Sequence, residues 1–311
     1  MHSLGLRRAR PTRSAAALMV AALLGASCSA HQEGAHQDPG GRATPSQAAS
    51  GASATTRAAL PATPSTADPG ALAAEVERAA ATLRDGSATS GEHRRAGELL
   101  QLAVRALTVG QPAMLPRVTA KLRPDTAMIV RLDVASSRLL GGITAPQPHL
   151  PPWRIVAPAP AGELLRDYRA AQRRTGVPWT YLAAIHLVET RMGRIRGEST
   201  AGAQGPMQFV PATWKLYGAG GDVNDPRDAI MGAARLLSAN GAPRDMSGAL
   251  WHYNQSHSYV RAVTGYARTL QRAPWAYRGY WSWRVLYSQK RGTYVLPVGY
   301  PHVRAVLLPD S

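Results

Sequence analysis

The sequence predicts a mainly α-helical protein, and three features predict it. Apolar residues recur at helical spacing over two long stretches, about Ala71 to Leu140 and Pro158 to Arg272. Gly86, Gly110 and Asn240-Gly241 stand where a period ends, and cut those stretches into helix-sized pieces. Asp225-Pro226-Arg227-Asp228 has the order of a helix start: a cap, a proline at the first helical position and an acid in the first turn. Several short helices around one apolar centre make an α-class domain.

The chain opens on Arg7, Arg8, Arg10 and Arg13, then an apolar run from Ala15 to Ala26, then Ala26-Ser27-Cys28. Charge, short apolar run and small residues in that order read as a signal peptide over residues 1–28. The run is too short to span a bilayer, which needs ~20 residues. Cys28 is the only cysteine, so it forms no intrachain disulfide. It stands where the acylated cysteine of a bacterial lipoprotein stands, with Gly25 in place of the usual leucine three residues earlier. Lipid attachment at Cys28 and a membrane anchor are expected, with cleavage nearby and secretion to the wall as the alternative.

Residues 29–70 are Ala, Ser, Thr, Pro, Gly and Gln with almost no large apolar side chain, and read as a disordered linker. Residues 71–145 form a helical region without a motif of its own, carried by Leu72, Val76, Ala79 to Leu83, then Leu99, Leu100, Ala103 and Leu107, then Met128, Ile129, Leu132 and Leu139. Pro146, Pro148, Pro151 and Pro152 make a stiff connector. Residues 158–272 are the main helical domain. Leu164, Leu165 and Tyr168 mark its first helix, and Pro178 opens a second with Tyr181, Leu182, Ile185, Val188 and Met192. Ala229, Ala233, Leu236 and Leu237 follow the Asp225 start, and Ser247–Asn254 and Ser258–Leu270 make two more helices. In residues 273–311, Trp275, Tyr277, Tyr280, Trp281, Trp283 and Tyr287 crowd into a tail expected to pack on that domain, and Gly292 to Pro297 is β-prone.

The formal net charge is +17 in 311 residues. No finger, basic helix or aromatic RNA-binding signature accompanies it, so nucleic acid is not the expected partner. For an exported chain the matching polyanion is the cell wall, with its peptide carboxylates and phosphate polymers.

Glu189 shares a helix side with Leu182, Ile185 and Met192 by spacing. Oily surroundings make a carboxyl costly to ionise and raise its pKa toward the working pH, which suits a general acid. Downstream, the loop Glu198 to Phe209 is rich in small residues, and Ser199 and Gln208 supply the neutral polar groups that hold sugars. A later helix ends Tyr253-Asn254; Tyr253 is placed to point a hydroxyl at Glu189, and Asn254 to hold an amide or hydroxyl of a substrate.

Val188-Glu189-Thr190, Gly202-Ala203-Gln204-Gly205-Pro206-Met207-Gln208 and Tyr253-Asn254 together resemble the motif set of lytic transglycosylases with the goose-type-lysozyme fold, over roughly Gly176 to Leu270. Many members of that family carry serine where this chain has Thr190. The resemblance implies a lysozyme-like catalytic domain, peptidoglycan glycan strands as substrate, Glu189 as catalytic acid and base, and Ser199, Gln208, Tyr253 and Asn254 as substrate-binding residues.

Glycosidases that use water or a covalent intermediate normally need two carboxyls. Here the other nearby acids are Glu198 on the loop, Asp222, and Asp225 and Asp228 with helix-start roles. A one-carboxyl reaction that closes a 1,6-anhydromuramic ring is therefore the expected chemistry. Hydrolysis with Glu198 or Asp222 as second acid is one alternative, and a wall-binding protein without turnover is another. The calcium-loop pattern is incomplete around Asp222, and no nucleotide fingerprint appears. No metal and no cofactor is expected, and the chain is expected to be a monomer.

Overall fold

In a computed structural model the chain is described at residue 60 and over residues 62–309. Cys28, the leader and most of the expected linker lie outside the described residues. The fold is mainly α, the class expected, and none of its described helices is long and apolar enough to cross a membrane.

The chain enters along helix α1 (Pro69–Arg84), where the Ser65 backbone N–H and hydroxyl both donate to the Glu75 carboxylate, at 2.8 and 2.5 Å. Asp68 caps α1 by accepting from the Gly70 and Ala71 N–H groups. Helix α2 (Ser90–Arg105) starts on a capping box between Thr89 and Glu92, which satisfies two orphan end groups reciprocally. A π turn (Ala106–Gly110) and a short 3-10 turn lead to α3 (Leu115–Thr119) and α4 (Pro124–Gly141). These four helices enclose a small core of Leu72, Val76, Leu107, Val118 and Val134.

The four helices do not stand apart from the second half of the chain. Ile129 and Leu140 of α4 belong to the main core of that half. Helix α4 lies along α10 (His257–Arg272) so closely that a Cβ on Gly265 would sit 2.1 Å from the Ser136 hydroxyl. Two polar contacts seal the seam: Ser137 Oγ meets Tyr266 Oη at 3.0 Å, and Asp133 accepts from Thr269.

In the second half a two-residue strand β1 (Arg154–Ile155) pairs antiparallel with β2 (Ile195–Arg196). Between them run α5 (Ala161–Thr175), ended by left-handed Gly176, and α6 (Trp179–Thr190). Every residue of α6 from Thr180 to Thr190 is buried; a helix apolar all round belongs at the centre, with α5, α8 and α10 around it. Then come α7 (Pro211–Tyr217), α8 (Pro226–Ala239), α9 (Met246–Tyr253), α10 and α11 (Ala276–Ser282). Asp225 caps α8 with Pro226 behind it, as its sequence predicts.

The chain finishes as a three-stranded antiparallel sheet, β3 (Val285–Gln289), β4 (Gly292–Leu296) and β5 (Val306–Leu307), in that spatial order. Trp153, Ile155, Ile195, Val285, Tyr287 and Tyr300 form a core between this sheet and the β1–β2 ribbon. The aromatic segment packs inward, with Tyr277, Tyr280 and Trp283 in the main core.

Two readings need correction, and two helices add to those the sequence predicts. Pro211 to Tyr217 form α7. Residues 276–282 are helical, although their aromatic content gave no helical period. Leu165 is only partly buried beside the core that takes Leu164 and Tyr168 fully. Met192 is not on the helix of Glu189: α6 stops at Thr190, and Arg191 and Met192 take φ of 53° and 60°. Periodicity carried the helix past its end because nothing in Arg191-Met192 breaks a helix by composition.

Candidate active site

Glu189 is the penultimate residue of α6, and its side chain is 5% exposed. Its Oε1 accepts the Tyr259 hydroxyl at 2.6 Å. Its Oε2 has no partner among the described residues, yet is not sealed from the surface. Burial pushes the carboxyl up to about 8, and the Tyr259 hydrogen bond offsets part of that rise. No described carboxylate lies close enough to add repulsion. Glu189 is thus a neutral acid near neutral pH, with one oxygen held and one free.

The hydroxyl on Glu189 belongs to Tyr259, not to Tyr253. Tyr253 donates instead to the Met207 carbonyl at 2.5 Å, and its ring lies parallel to that of Tyr259, centroids 6.4 Å apart. Tyr253 so ties the end of α9 to the loop, while Tyr259 reaches the carboxylate from the first turn of α10. The one sequence signal for Tyr259 is Ser256, whose hydroxyl accepts the Tyr259 N–H and caps that helix.

Thr190 fixes the loop from the other side. Its hydroxyl donates to the Pro206 carbonyl at 2.6 Å and accepts the Gly193 N–H at 3.0 Å. Met207 is fully buried in the main core, so the segment Pro206-Met207-Gln208 is pinned at each residue. Gln204 and Phe209 close the loop with two backbone bonds. Gly205 lies at φ 72°, and any Cβ there would stand 1.9 Å from the Val223 carbonyl oxygen. Only glycine fits that approach.

Gln208 follows at φ 51°, an uncommon value for a residue with a side chain. Its Nε2 donates to the Gly205 carbonyl at 3.0 Å, while its buried Oε1 has no donor among the described residues. Asn254, the C-cap of α9, repeats the pattern with its own buried, undonated Oδ1. A buried acceptor without a donor is costly, by ~1–3 kcal/mol, so these two mark places for N–H or O–H groups. Ser199 is buried in the same loop, its hydroxyl oxygen accepting the Ala201 and Ala203 N–H groups at 3.1 and 2.9 Å. It shapes the loop first, and retains its own proton to donate.

The other acids are engaged locally. Glu198 accepts from the Gln204 amide at 2.8 Å on the exposed rim. Asp222 accepts the Asn224 N–H, Asp225 the Asp228 N–H, and Asp228 the Asp222 N–H. They are turn and helix-cap groups, and no three of His, Cys, Asp or Glu gather as metal ligands among the described residues. His252 and His257 face different neighbours, since His257 stacks on Trp251 at 4.5 Å.

Behind the carboxyl, His186 accepts or donates through Nδ1 to the Tyr168 hydroxyl at 2.7 Å, and burial drops it to about 3, so it stays neutral. Arg191 is buried too, with its guanidinium 5.6 Å from the Trp283 ring and Nη1 on the Leu187 carbonyl. These groups hold the left-handed exit from α6 that lets the chain turn under Glu189.

Residues 167–276 match the family model described as the transglycosylase SLT domain. The match spans α6 through α10, and so contains Glu189, Ser199, Gln208, Tyr253, Asn254 and Tyr259. No curated protein and no solved structure matches the chain.

Proposed function

We propose that the transglycosylase SLT domain at residues 167–276 is a working lytic transglycosylase that cleaves the β-1,4 bond between N-acetylmuramic acid and N-acetylglucosamine in peptidoglycan strands. The observation that carries this reading is Glu189: a lone carboxyl, raised by burial to about 8, with Tyr259 on one oxygen and the other free. Neutral Glu189 donates its proton from Oε2 to the glycosidic oxygen, and the N-acetylglucosamine end leaves as an alcohol. The 2-acetamido group of the muramic residue takes up the positive charge developing at C1. Glu189, now anionic and steadied by Tyr259, removes the proton of the C6 hydroxyl, and O6 bonds to C1. The proton count closes, no water enters, and the product ends in a 1,6-anhydro ring.

Gln208 Oε1 and Asn254 Oδ1 are assigned to the N–H and O–H groups of the sugars, and Ser199 and Tyr253 to the wall of the groove. Wall polymers are the partners, and an exported position follows from that substrate. Lipid attachment through Cys28 remains part of the proposal.

The hydrolytic alternative needs a second carboxyl across the scissile bond. Glu198 and Asp222 are engaged with their own loop and turn, which favours the one-carboxyl route. Mass analysis of fragments from purified peptidoglycan tests the assignment. Anhydro ends, lighter by one water than hydrolysed ends, are expected from the native chain and none from Glu189→Gln; reducing ends alone mean hydrolysis, and wall binding without fragments means the domain is only a binder.

A further inference from the structure

The most exposed large apolar side chains among the described residues are five: Leu216, Val298, Val303, Val306 and Leu307, and the last four fall within ten residues of one another at the end of the chain. Val306 and Leu307 make up β5, the outer strand of the sheet, and both are about half exposed, at 58% and 50%. Leu307 lies over Gly292, which brings the Lys290-Arg291 turn beside it, and Val303 folds back on Gly299 next to Val298. Arg304 stands between the valines, and Lys290, Arg291 and Arg304 are all exposed. No aspartate or glutamate occurs between Asp245 and Asp310, against eight arginines and lysines.

A second observation concerns where the chain begins. Thr63, Pro64 and Thr66 line one pocket with Leu308 and Pro309, the two residues after β5. The described chain thus starts at Leu60 against Leu83 and Leu99 and passes beside this strand over Thr63 to Thr66.

We infer that β5 and its basic flank form a docking face for an anionic lipid surface. Apolar side chains set among exposed cations suit the boundary between headgroups and acyl chains, where each is satisfied at a different depth. A second copy pairing on the free edge of β5 would bring like charges together. An anionic wall polymer would use the cations and leave the valines and Leu307 in water. The inference is independent of the reaction assigned to Glu189.

A local fluorescence readout on the full chain tests it. In a Cys28→Ser background, Leu307→Cys is labelled with an environment-sensitive nitrobenzoxadiazole group, and Gly86→Cys, a turn with open space around it, carries the same label as a control. Vesicles of phosphatidylcholine alone are compared with vesicles half phosphatidylglycerol. A blue shift at position 307 and none at 86, seen with the anionic vesicles and reversed by high salt, is expected. Replacing Lys290, Arg291 and Arg304 together by Glu should lower the vesicle affinity read at 307 about tenfold or more. Equal shifts at both positions would mean that the leader alone inserts, and would overturn the inference. So would no shift with either vesicle, a shift that follows protein concentration without lipid, or a shift produced by an anionic polymer alone.

Discussion

At the scale of single residues, the proposed reaction turns on how a carboxyl is kept protonated and how its anion is later steadied. Burial raises Glu189 to about 8, so the folded chain holds more protons than the unfolded one between about pH 4.5 and 8. Its contribution to stability therefore falls as pH rises through that window. Glu189→Gln keeps the shape without the charge: it should melt on the order of 5 °C above the native chain at pH 9 and no higher at pH 4, read by calorimetry. Tyr259→Phe removes the one bond that favours the anion. The alkaline limb of kcat/KM should move up, and the rate should fall roughly 10–100-fold, the worth of a hydrogen bond to a charged group. Glu189, Gln208 and Asn254 were legible in the sequence because their neighbours are unusual: an acid inside an apolar run, a Met-Gln after a glycine loop, a Tyr-Asn at a helix end. Tyr259 was not, because its position depends on the tight link from Asn254 to Ser256, which turns the first turn of α10 back toward α6. Tyr253 was assigned its place because it is the nearer tyrosine in a recognisable pair.

At the scale of elements, helices with an apolar stripe are legible in the sequence whether capped, as α8 is, or uncapped, as α4, α5 and α6 are. The start of α8 was set by Asp225-Pro226, whose cap is present at 3.0 Å. Helix α7 follows a proline but has no fully buried residue, so no apolar stripe announces it. The end of α6 was missed because left-handed Arg191 and Met192 are held there by tertiary partners, Trp283 and Tyr168 among them. The strand β3 carries Val285, Leu286 and Tyr287 buried in succession, which hides the alternation that marks a half-exposed strand. The loop between β2 and α7 depends on one glycine. Gly205→Ala would drive a Cβ against the Val223 carbonyl at a positive φ, and should cost more than the ~1–3 kcal/mol of a strained backbone alone. Cleavage activity should be lost and limited proteolysis should cut between residues 197 and 209, with the helical circular dichroism signal largely kept.

At the scale of the whole molecule, one of the four leading helices, α4, supports the helix that bears Tyr259. The seam between α4 and α10 is closed by Asp133, which accepts from Thr269 of α10 and from Tyr280 of α11 at 3.0 and 2.5 Å. Burial pushes this carboxyl up to about 7, against two hydrogen bonds that lower it. The folded chain binds the extra proton between about pH 4 and 7, so the stability it lends fades as pH climbs through that range. Asp133→Asn should flatten the slope of melting temperature against pH from 5 to 8, while the native chain loses a few degrees over the same interval. The helical class of this region was plain from its periodicity. Its role as a brace was not, since Asp133 and Ser137 read in sequence as ordinary polar residues on an outer face.

The clasp at Ser65 has a mechanical meaning. A pull from the N-terminal side meets Leu60, packed against Leu83 and Leu99, and then both Ser65 bonds to Glu75 before it can peel α1 from its core. The load is thus stopped at α1 and its surface stitch, before it reaches α6 and the Glu189 carboxyl.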